Sequence, residues 1–306
     1  MSSVSTEPVE VSILVVSYNT RDMTLDCLRS VVRETKAPHE IIVVDNASSD
    51  GSAEAIAEAF PDLQLIASKE NLGFGQANNL GAQRAKARLI LLLNPDTVIL
   101  DGAIDTLLDL SKRTPQAKMW GGRTVFADGS PNRTNCYQDL TLWRLFCRAV
   151  GLSAATHNHP YFSTMYGEKD MAYEREVAIV TGCFLLLTQD LWNSLRGFDP
   201  DFFLFDEETD LCLRARHQFG ARPRYTPESV IIHHVGASMP SQAERIVRQL
   251  KGRQLLIQKH FNGVRQVFAR ALVAAMPATR ALAERITGQR DGKWSETWRR
   301  RKDWLA

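Results

Sequence analysis

The chain of 306 residues has no hydrophobic run approaching the roughly 20 residues that a bilayer-spanning helix needs. Its first apolar run, Val11–Val16, follows a polar Met1–Glu10 and is too short for a secretory signal. The sequence therefore predicts a protein that does not cross a membrane. Cysteine is scarce. Cys27, Cys136, Cys147, Cys183 and Cys212 are odd in number and show neither a CxxC pair nor a zinc spacing, which predicts reduced core thiols in a cytosolic protein. There is no internal repeat and no low-complexity tract. Gly73-Phe74-Gly75 lacks the third glycine of a dinucleotide fingerprint. The formal net charge is only +2, but it is uneven. Residues 241–306 carry 15 Lys and Arg against 5 Asp and Glu, a local excess of +10 that leaves −8 for the first 240 residues. A basic segment on an acidic body points to an anionic surface, of phospholipid or of nucleic acid.

What is present is the pattern of a layered α/β protein, with 44% hydrophobic residues, enough for one large core or two modest ones. Val11–Ser17, Ile41–Val44, Leu63–Ala67 and Leu89–Leu93 read as apolar strands. Helical patterns follow Tyr18-Asn19-Thr20, span about Ser52–Phe60, and run from Asn71-Leu72-Gly73 to about Lys86. Strands apolar on both faces, alternating with helices, imply a mainly parallel sheet covered on both sides. Ligands of such sheets sit beyond the C-terminal strand ends, where Asp45 and Asn94-Pro95-Asp96 fall. Regularity drops over 127–177 and returns with a strand over Val177–Thr188 and a helix over Gln189–Leu195. Past Ser238 the pattern is of amphipathic helices broken near Asn262-Gly263 and at Pro277.

The densest chemistry lies at Phe202–Arg214. Asp206, Glu207, Glu208 and Asp210 put four carboxylates into five positions after an aromatic run. Such groups raise one another's pKa unless cations or donors offset them. Asp210 and Arg214 stand at an (i, i+4) spacing that suits a structural helix pair. The short strand Val230–Ile232 then delivers His233-His234.

Val11–Asn19, Ile41–Gly51, Asn71–Asn79, Leu91–Asp96, Thr181–Phe205, Glu207–Arg214 and His233–Ser238, in this order, resemble a family 2 glycosyltransferase of GT-A (Rossmann-like) fold, in its bacterial rhamnosyltransferase-like branch. The resemblance covers about residues 9–240. It implies a catalytic domain over 9–240 with an acceptor-side excursion at 127–177, followed by a basic helical extension over 241–306. It further implies that Asp45 holds the nucleoside, with Ser17, Tyr18, Asn19 and Asn94 closing the pocket. Asn94-Pro95-Asp96 stands where the family usually has Asp-x-Asp, so Asp96 becomes the principal carboxylate for Mg²⁺ or Mn²⁺, and His233 of His-x-x-Gly-x-Ser completes the site. Glu207-Glu208 occupies the place of a Glu-Asp pair whose second acid is the general base, which assigns that role to Glu208, with Glu207 beside it. Thr181, Gly182 and Trp192 are implied to line the acceptor side, although Trp192 also suits a core.

The expected function is an inverting, metal-dependent transfer of a sugar to a hydroxyl of a cell-surface glycan or polyprenyl-linked acceptor. L-rhamnose from dTDP-rhamnose is the first choice of donor, and the same scaffold accepts others. The rival reading is a catalytically silent sugar-nucleotide or glycan-binding scaffold at the membrane. Nucleic acid is not expected as a partner, since only the basic tail argues for it. Val264, Val267, Phe268, Ala271, Leu272 and Ala275 share a helical face, and Trp294, Trp298 and Trp304 interleave with Arg299–Lys302. This pattern suits either peripheral attachment to the inner face of the cell membrane or packing on the catalytic domain or a second subunit.

Overall fold

The computed structural model describes residues 8–157, 159–235, 241–289 and 291–305. Gly236 and Ser238, part of the histidine motif, lie outside them. The chain opens with β1 (Val11–Ser17), α1 (Arg21–Glu34), β2 (His39–Asp45), α2 (Ser52–Ala59), β3 (Gln64–Ala67), α3 (Gly73–Ala82) and β4 (Leu89–Leu93). These strands pair in parallel in the order β3-β2-β1-β4. Successive side chains of a strand point to opposite faces. Leu14, Ile42 and Leu92 accordingly enter one core layer, and Ile13, Val43 and Leu91 the other. Every residue of β1 is buried, as its uninterrupted apolar reading requires.

The rest of the sheet is mixed. The chain continues with β5 (Thr97–Ile99), α4 (Ala103–Arg113) and β6 (Met119–Val125), then an excursion with the two-residue strands β7 (Pro131–Asn132) and β8 (Cys136–Tyr137), the latter in a separate two-stranded sheet, and the helices α5 (Leu142–Ala149) and α6 (Leu152–Ala155). There follow β9 (Arg175–Glu176), β10 (Ile179–Val180), β11 (Phe184–Thr188), α7 (Gln189–Leu195), α8 (Glu207–Phe219) and β12 (Arg224–His233). The single strand expected over Val177–Thr188 is two, because Thr181-Gly182-Cys183 turns between β10 and β11. Two antiparallel insertions position the site. β11 pairs antiparallel with β4, Phe184 opposite Leu93, so its start meets the C-terminal end of β4 and Cys183 C=O accepts from Asn94 N–H. β12 pairs antiparallel with β5, setting His233 opposite Thr97, next to Asp96.

The C-terminal helices are α9 (Gln242–His260), α10 (Gly263–Ile286), α11 (Lys293–Arg299) and α12 (Lys302–Leu305). The expected break at Asn262-Gly263 is present, but the one at Pro277 is not: α10 continues through it. Pro277 is buried in the helix's packed face, and that packing outweighs the hydrogen bond a proline cannot make. The helices form their own core with α5, built on Leu145, Val247, Leu250, Val273, Met276 and Trp304. Trp304, for which the sequence allowed either a membrane interface or packing, is 1% exposed there, with Trp294 and Trp298 packed against the same cluster. No helix among the described residues is long and apolar enough to cross a membrane. The five cysteines are free and buried.

Candidate active site

Asp45 ends β2 and is 3% exposed. Its Oδ2 accepts from Ser48 N–H at 3.1 Å, while its Oδ1 is buried without a partner. A buried carboxylate oxygen left unpaired costs free energy unless something fills the role. Two strands away, Asn94 Oδ1 and His233 Nδ1 are orphaned in the same way. His233 Nε2 lies 3.3 Å from Asp96 Oδ1 and 3.5 Å from Asn94 Nδ2. His233 is buried and His234 is exposed, so of the adjacent pair His233 faces Asp96. Burial alone would lower the His233 pKa, but Cys183 first and then Asp96 outweigh it and raise it to about 10.

Among the described residues no group of three or more His, Cys, Asp and Glu is placed to hold a metal. A divalent cation fits here only with Asp96 and with His233 after it has lost its proton, aided by the unpaired Asn94 carbonyl, and with its remaining ligands from phosphate oxygens and water. That is the usual habit of Mg²⁺.

The loop after β1 departs from expectation. Ser17 is fully buried, and its hydroxyl is committed to Thr24 at 3.0 Å and Thr20 at 3.4 Å, so its side chain does not face the pocket. Tyr18 is half-buried. Asn19, at φ 52°, accepts from Ser49 N–H at 2.8 Å and donates its own N–H to Ser48 Oγ, latching this loop to the one after β2. Sequence reasoning missed Asn46. Its buried amide donates to Asn71 Oδ1 and Gly73 C=O and accepts from Leu72 N–H, which ties the loop after β2 to the start of α3.

The four clustered carboxylates divide into two pairs. Asp206 takes a two-pronged ion pair from Arg253 of α9, both contacts at 2.8 Å. Asp210 is held by Arg214 Nε at 2.7 Å, as the spacing predicted, and by His260 Nε2 at 2.8 Å. Among the described residues Glu207 and Glu208 have no such partner. Glu207 is 4% exposed with Oε2 unpaired, and burial, then Glu208, push its carboxyl well above the usual range. Burial and the Asp206 charge raise Glu208 to about 7.

The backbone before these acids is gripped from two sides. A Cβ at Gly73 would sit 2.2 Å from Phe203 O, and one at Gly252 on α9 would sit 2.4 Å from Phe205 O, so both helices approach as only glycine allows. Phe205 and Asp206 themselves hold φ of 71° and 67°. Lys259 of α9 adds contacts to Asp199 and Asp201 at 2.8 and 2.6 Å. Much of the positive charge of α9 is therefore spent inside the molecule, against the acids of the catalytic body.

Glu208 lines an open cavity of about 200 Å³ between β8, α5, α9 and α10; Glu207 does not. Gly182 is next to Glu208, since a Cβ there would be 3.7 Å from Glu208 Cβ. Thr181 is buried, its hydroxyl on Asn135 C=O. Trp192, expected on the acceptor side, is a core residue. It is 5% exposed and meets Phe198 edge-on at 5.3 Å, because α7 turns that face toward α8.

The family model for glycosyl transferase family 2 matches residues 12–185. The N-acetylglucosaminyl-diphospho-decaprenol L-rhamnosyltransferase of Mycobacterium tuberculosis is 28% identical over 233 residues, covering 72% of this chain and 75% of that protein. The O-antigen biosynthesis protein RfbC of Myxococcus xanthus is 26% identical over 76% of this chain, but over only 18% of its own length. Among solved structures, mannosyltransferase PcManGT from Pyrobaculum calidifontis, in complex with GDP-Man and Mn²⁺, superposes with a TM-score of 0.56 at 18% identity, covering 98% of this chain and 86% of that one. The fold is therefore of the GT-A kind, and with more than half its length matched the chain belongs to glycosyl transferase family 2.

Proposed function

We propose that this glycosyltransferase inverts the anomeric centre of a nucleotide diphosphate sugar, using Glu208 as the base. The observation that carries the reading is the position of Glu208. It is an unpaired carboxyl raised to about 7, at the edge of a cavity and beside the turn that joins the end of β4. A base with a pKa near the working pH accepts a hydroxyl proton efficiently, an effect worth about 10²–10⁴ in rate. The deprotonated oxygen attacks the anomeric carbon opposite the leaving diphosphate, and one displacement inverts the centre.

In this reading Asp45 accepts hydrogen bonds from the nucleoside through its unpaired Oδ1. Asp96 and His233 hold Mg²⁺ or Mn²⁺. When bound, the cation would supply charge neutralisation to the departing diphosphate. The similarity to a rhamnosyltransferase supports L-rhamnose from dTDP-rhamnose as donor and a lipid-linked glycan as acceptor. We divide the chain at about residue 240, with 127–177 on the acceptor side. This rests on the cavity, which takes lining residues from both the excursion and the extension.

The test is a panel of nucleotide sugars incubated with Mg²⁺ or Mn²⁺, following nucleotide diphosphate release for wild type, Asp45→Asn and Glu208→Gln. Release from one donor, lost in Glu208→Gln and needing far more donor in Asp45→Asn, is expected. Absence of donor binding by calorimetry would sink the reading.

A further inference from the structure

Phe205 and Asp206 hold φ of 71° and 67°, two successive side chains in the left-handed region immediately before α8. A bulky Phe there is strained backbone, which persists only where its surroundings over-determine it. Asp206 stands at the N-cap of α8, where an acid ordinarily accepts from the first free N–H groups of the helix. Its carboxylate makes no such bond. It turns to α9 instead, and the direction of the turn sets where Glu207 and Glu208, the first two residues of α8, point.

Two adjacent residues of α9 hold this turn. Gly252 lies so close to Phe205 that a Cβ would meet its carbonyl oxygen at 2.4 Å. Arg253 reaches Asp206 with two prongs, Nε to Oδ2 and Nη2 to Oδ1, both at 2.8 Å. Such a fork fixes orientation as well as charge, which a single contact would not. Asp206 is 6% exposed, so little water competes for it. The family model ends at residue 185, and the grip comes from beyond it.

Arg253 and Glu208 line the same cavity, and Glu207 does not. The groups facing Glu208 come from several elements. On its own helix stand Asp206, Glu207 and the Cys212 thiol. β8 brings the Tyr137 hydroxyl, α5 brings Arg148 and α9 brings Arg253. The turn before β11 brings the Cys183 thiol next to Gly182, whereas α10 gives the cavity wall only Leu272, Val273 and Met276. Burial raises Glu208 first, the Asp206 charge raises it further, and the Arg253 charge opposes both. Asp206 and Arg253 therefore pull on Glu208 in opposite directions while bonded to each other.

We propose that Arg253 is a positioning residue for the transfer: paired with Asp206, it holds the left-handed turn that aims the Glu208 carboxylate at the acceptor hydroxyl, and it balances the negative charge beside it. The proposal rests on the transferase reading for the role of Glu208, and it makes α9 a working part of the active site. A strut that only stabilised the fold would leave the acidity of Glu208 indifferent to which partner of the pair is removed.

The experiment compares wild type, Asp206→Asn, Arg253→Met, their double variant and Arg253→Lys, each with and without Glu208→Gln, by thermal unfolding from about pH 4 to about pH 9. Glutamine carries no charge, so the gain from Glu208→Gln grows with pH and levels off at the folded pKa of Glu208 in each background. In wild type it should level off at about 7. Asp206→Asn removes the neighbouring negative charge and should bring that level about one unit lower; Arg253→Met removes the positive one and should take it about one unit higher. The double variant and Arg253→Lys should stay within about half a unit of wild type. With the donor that the nucleotide-sugar panel identifies, the midpoint of transfer rate against pH should move in the same directions. Arg253→Lys keeps the charge but not the fork, so it should keep the midpoint and lose about 10-fold in kcat through a misaimed base.

Shifts of the same sign in Asp206→Asn and Arg253→Met, or none in either, would overturn the proposal. Should Arg253→Met fail to fold, the other two variants decide it: an unmoved level in Asp206→Asn, or full kcat in Arg253→Lys, refutes it. The transferase reading fails separately. Transfer indifferent to Glu208→Gln removes Glu208 as the base, whatever the unfolding curves show. Transfer lost in Glu208→Gln, with unmoved midpoints in the pair variants, removes the role of Arg253 alone.

Discussion

Replacing Glu208 by glutamine should separate catalysis from stability, because the same burial that tunes the carboxyl also penalises its charge. The folded pKa of Glu208 is about 7, against 4.5 for the unperturbed side chain. The fold therefore favours the protonated form. Its stabilising contribution is complete below the unfolded pKa and is lost as pH rises through the folded value. At 1.36 kcal/mol per unit, the charge costs about 3 kcal/mol at pH 8 and under about 1 kcal/mol at pH 5. Glutamine resembles the neutral acid at every pH, and it also relieves Glu207, which Glu208 pushes up. Without donor, Glu208→Gln should gain about 3 kcal/mol at pH 8, or some 5 °C in melting midpoint, and little at pH 5. Sugar transfer should fall by about 10²–10⁴, and the wild-type rate should climb with pH through about 7 as the base ionises. Scanning calorimetry at both pH values, beside a transfer assay, reads all three. A variant with no extra stability at pH 8, or one retaining activity, would refute the reasoning.

Three further outcomes follow from the packing of the C-terminal helices and the core. Arg253→Met strands Asp206, 6% exposed, without its cation, and urea unfolding should show a loss of about 3–5 kcal/mol; a loss under 1 kcal/mol would mean that water replaces the pair. Gly252→Ala forces a methyl to within 2.4 Å of Phe205 O, so α9 must shift. A lower melting midpoint, worth about 1–3 kcal/mol, with weakened transfer is expected, and an unchanged protein would show that the contact is loose. Trp192→Phe should lower the unfolding midpoint while leaving the acceptor KM unchanged; a raised KM with unchanged stability would return Trp192 to the acceptor side.

The strands, their order along the chain and the acids at their ends were legible because each depends on local pattern. An uninterrupted apolar run such as Leu89–Leu93 has to be covered on both faces, and the residues that follow it have to lie at the sheet's edge. The Asp210–Arg214 pair was legible for the same reason, being set by helical spacing alone. Ser17 and Trp192 were not, since whether a hydroxyl or a ring faces a pocket or a core depends on elements distant in sequence. For Trp304 the sequence left lipid and packing open, and the structure takes packing: amphipathic helices pack as readily on α5 as on lipid, and periodicity cannot tell the two apart.

A layered α/β glycosyltransferase, with carboxylates at the ends of its strands and a cluster of acids before a helix, is written into the order of the residues. Which of those acids keep a charge to use depends on how the chain folds back on itself. Asp206 is neutralised by Arg253 from a helix some fifty residues downstream, and His260 of the same helix adds a contact to Asp210, while among the described residues Glu207 is buried with Oε2 unpaired and the part-buried Glu208 has no ion-pair partner. Charge compensation acts through space over a few ångströms, and no local pattern reveals which distant cation will fall within that reach.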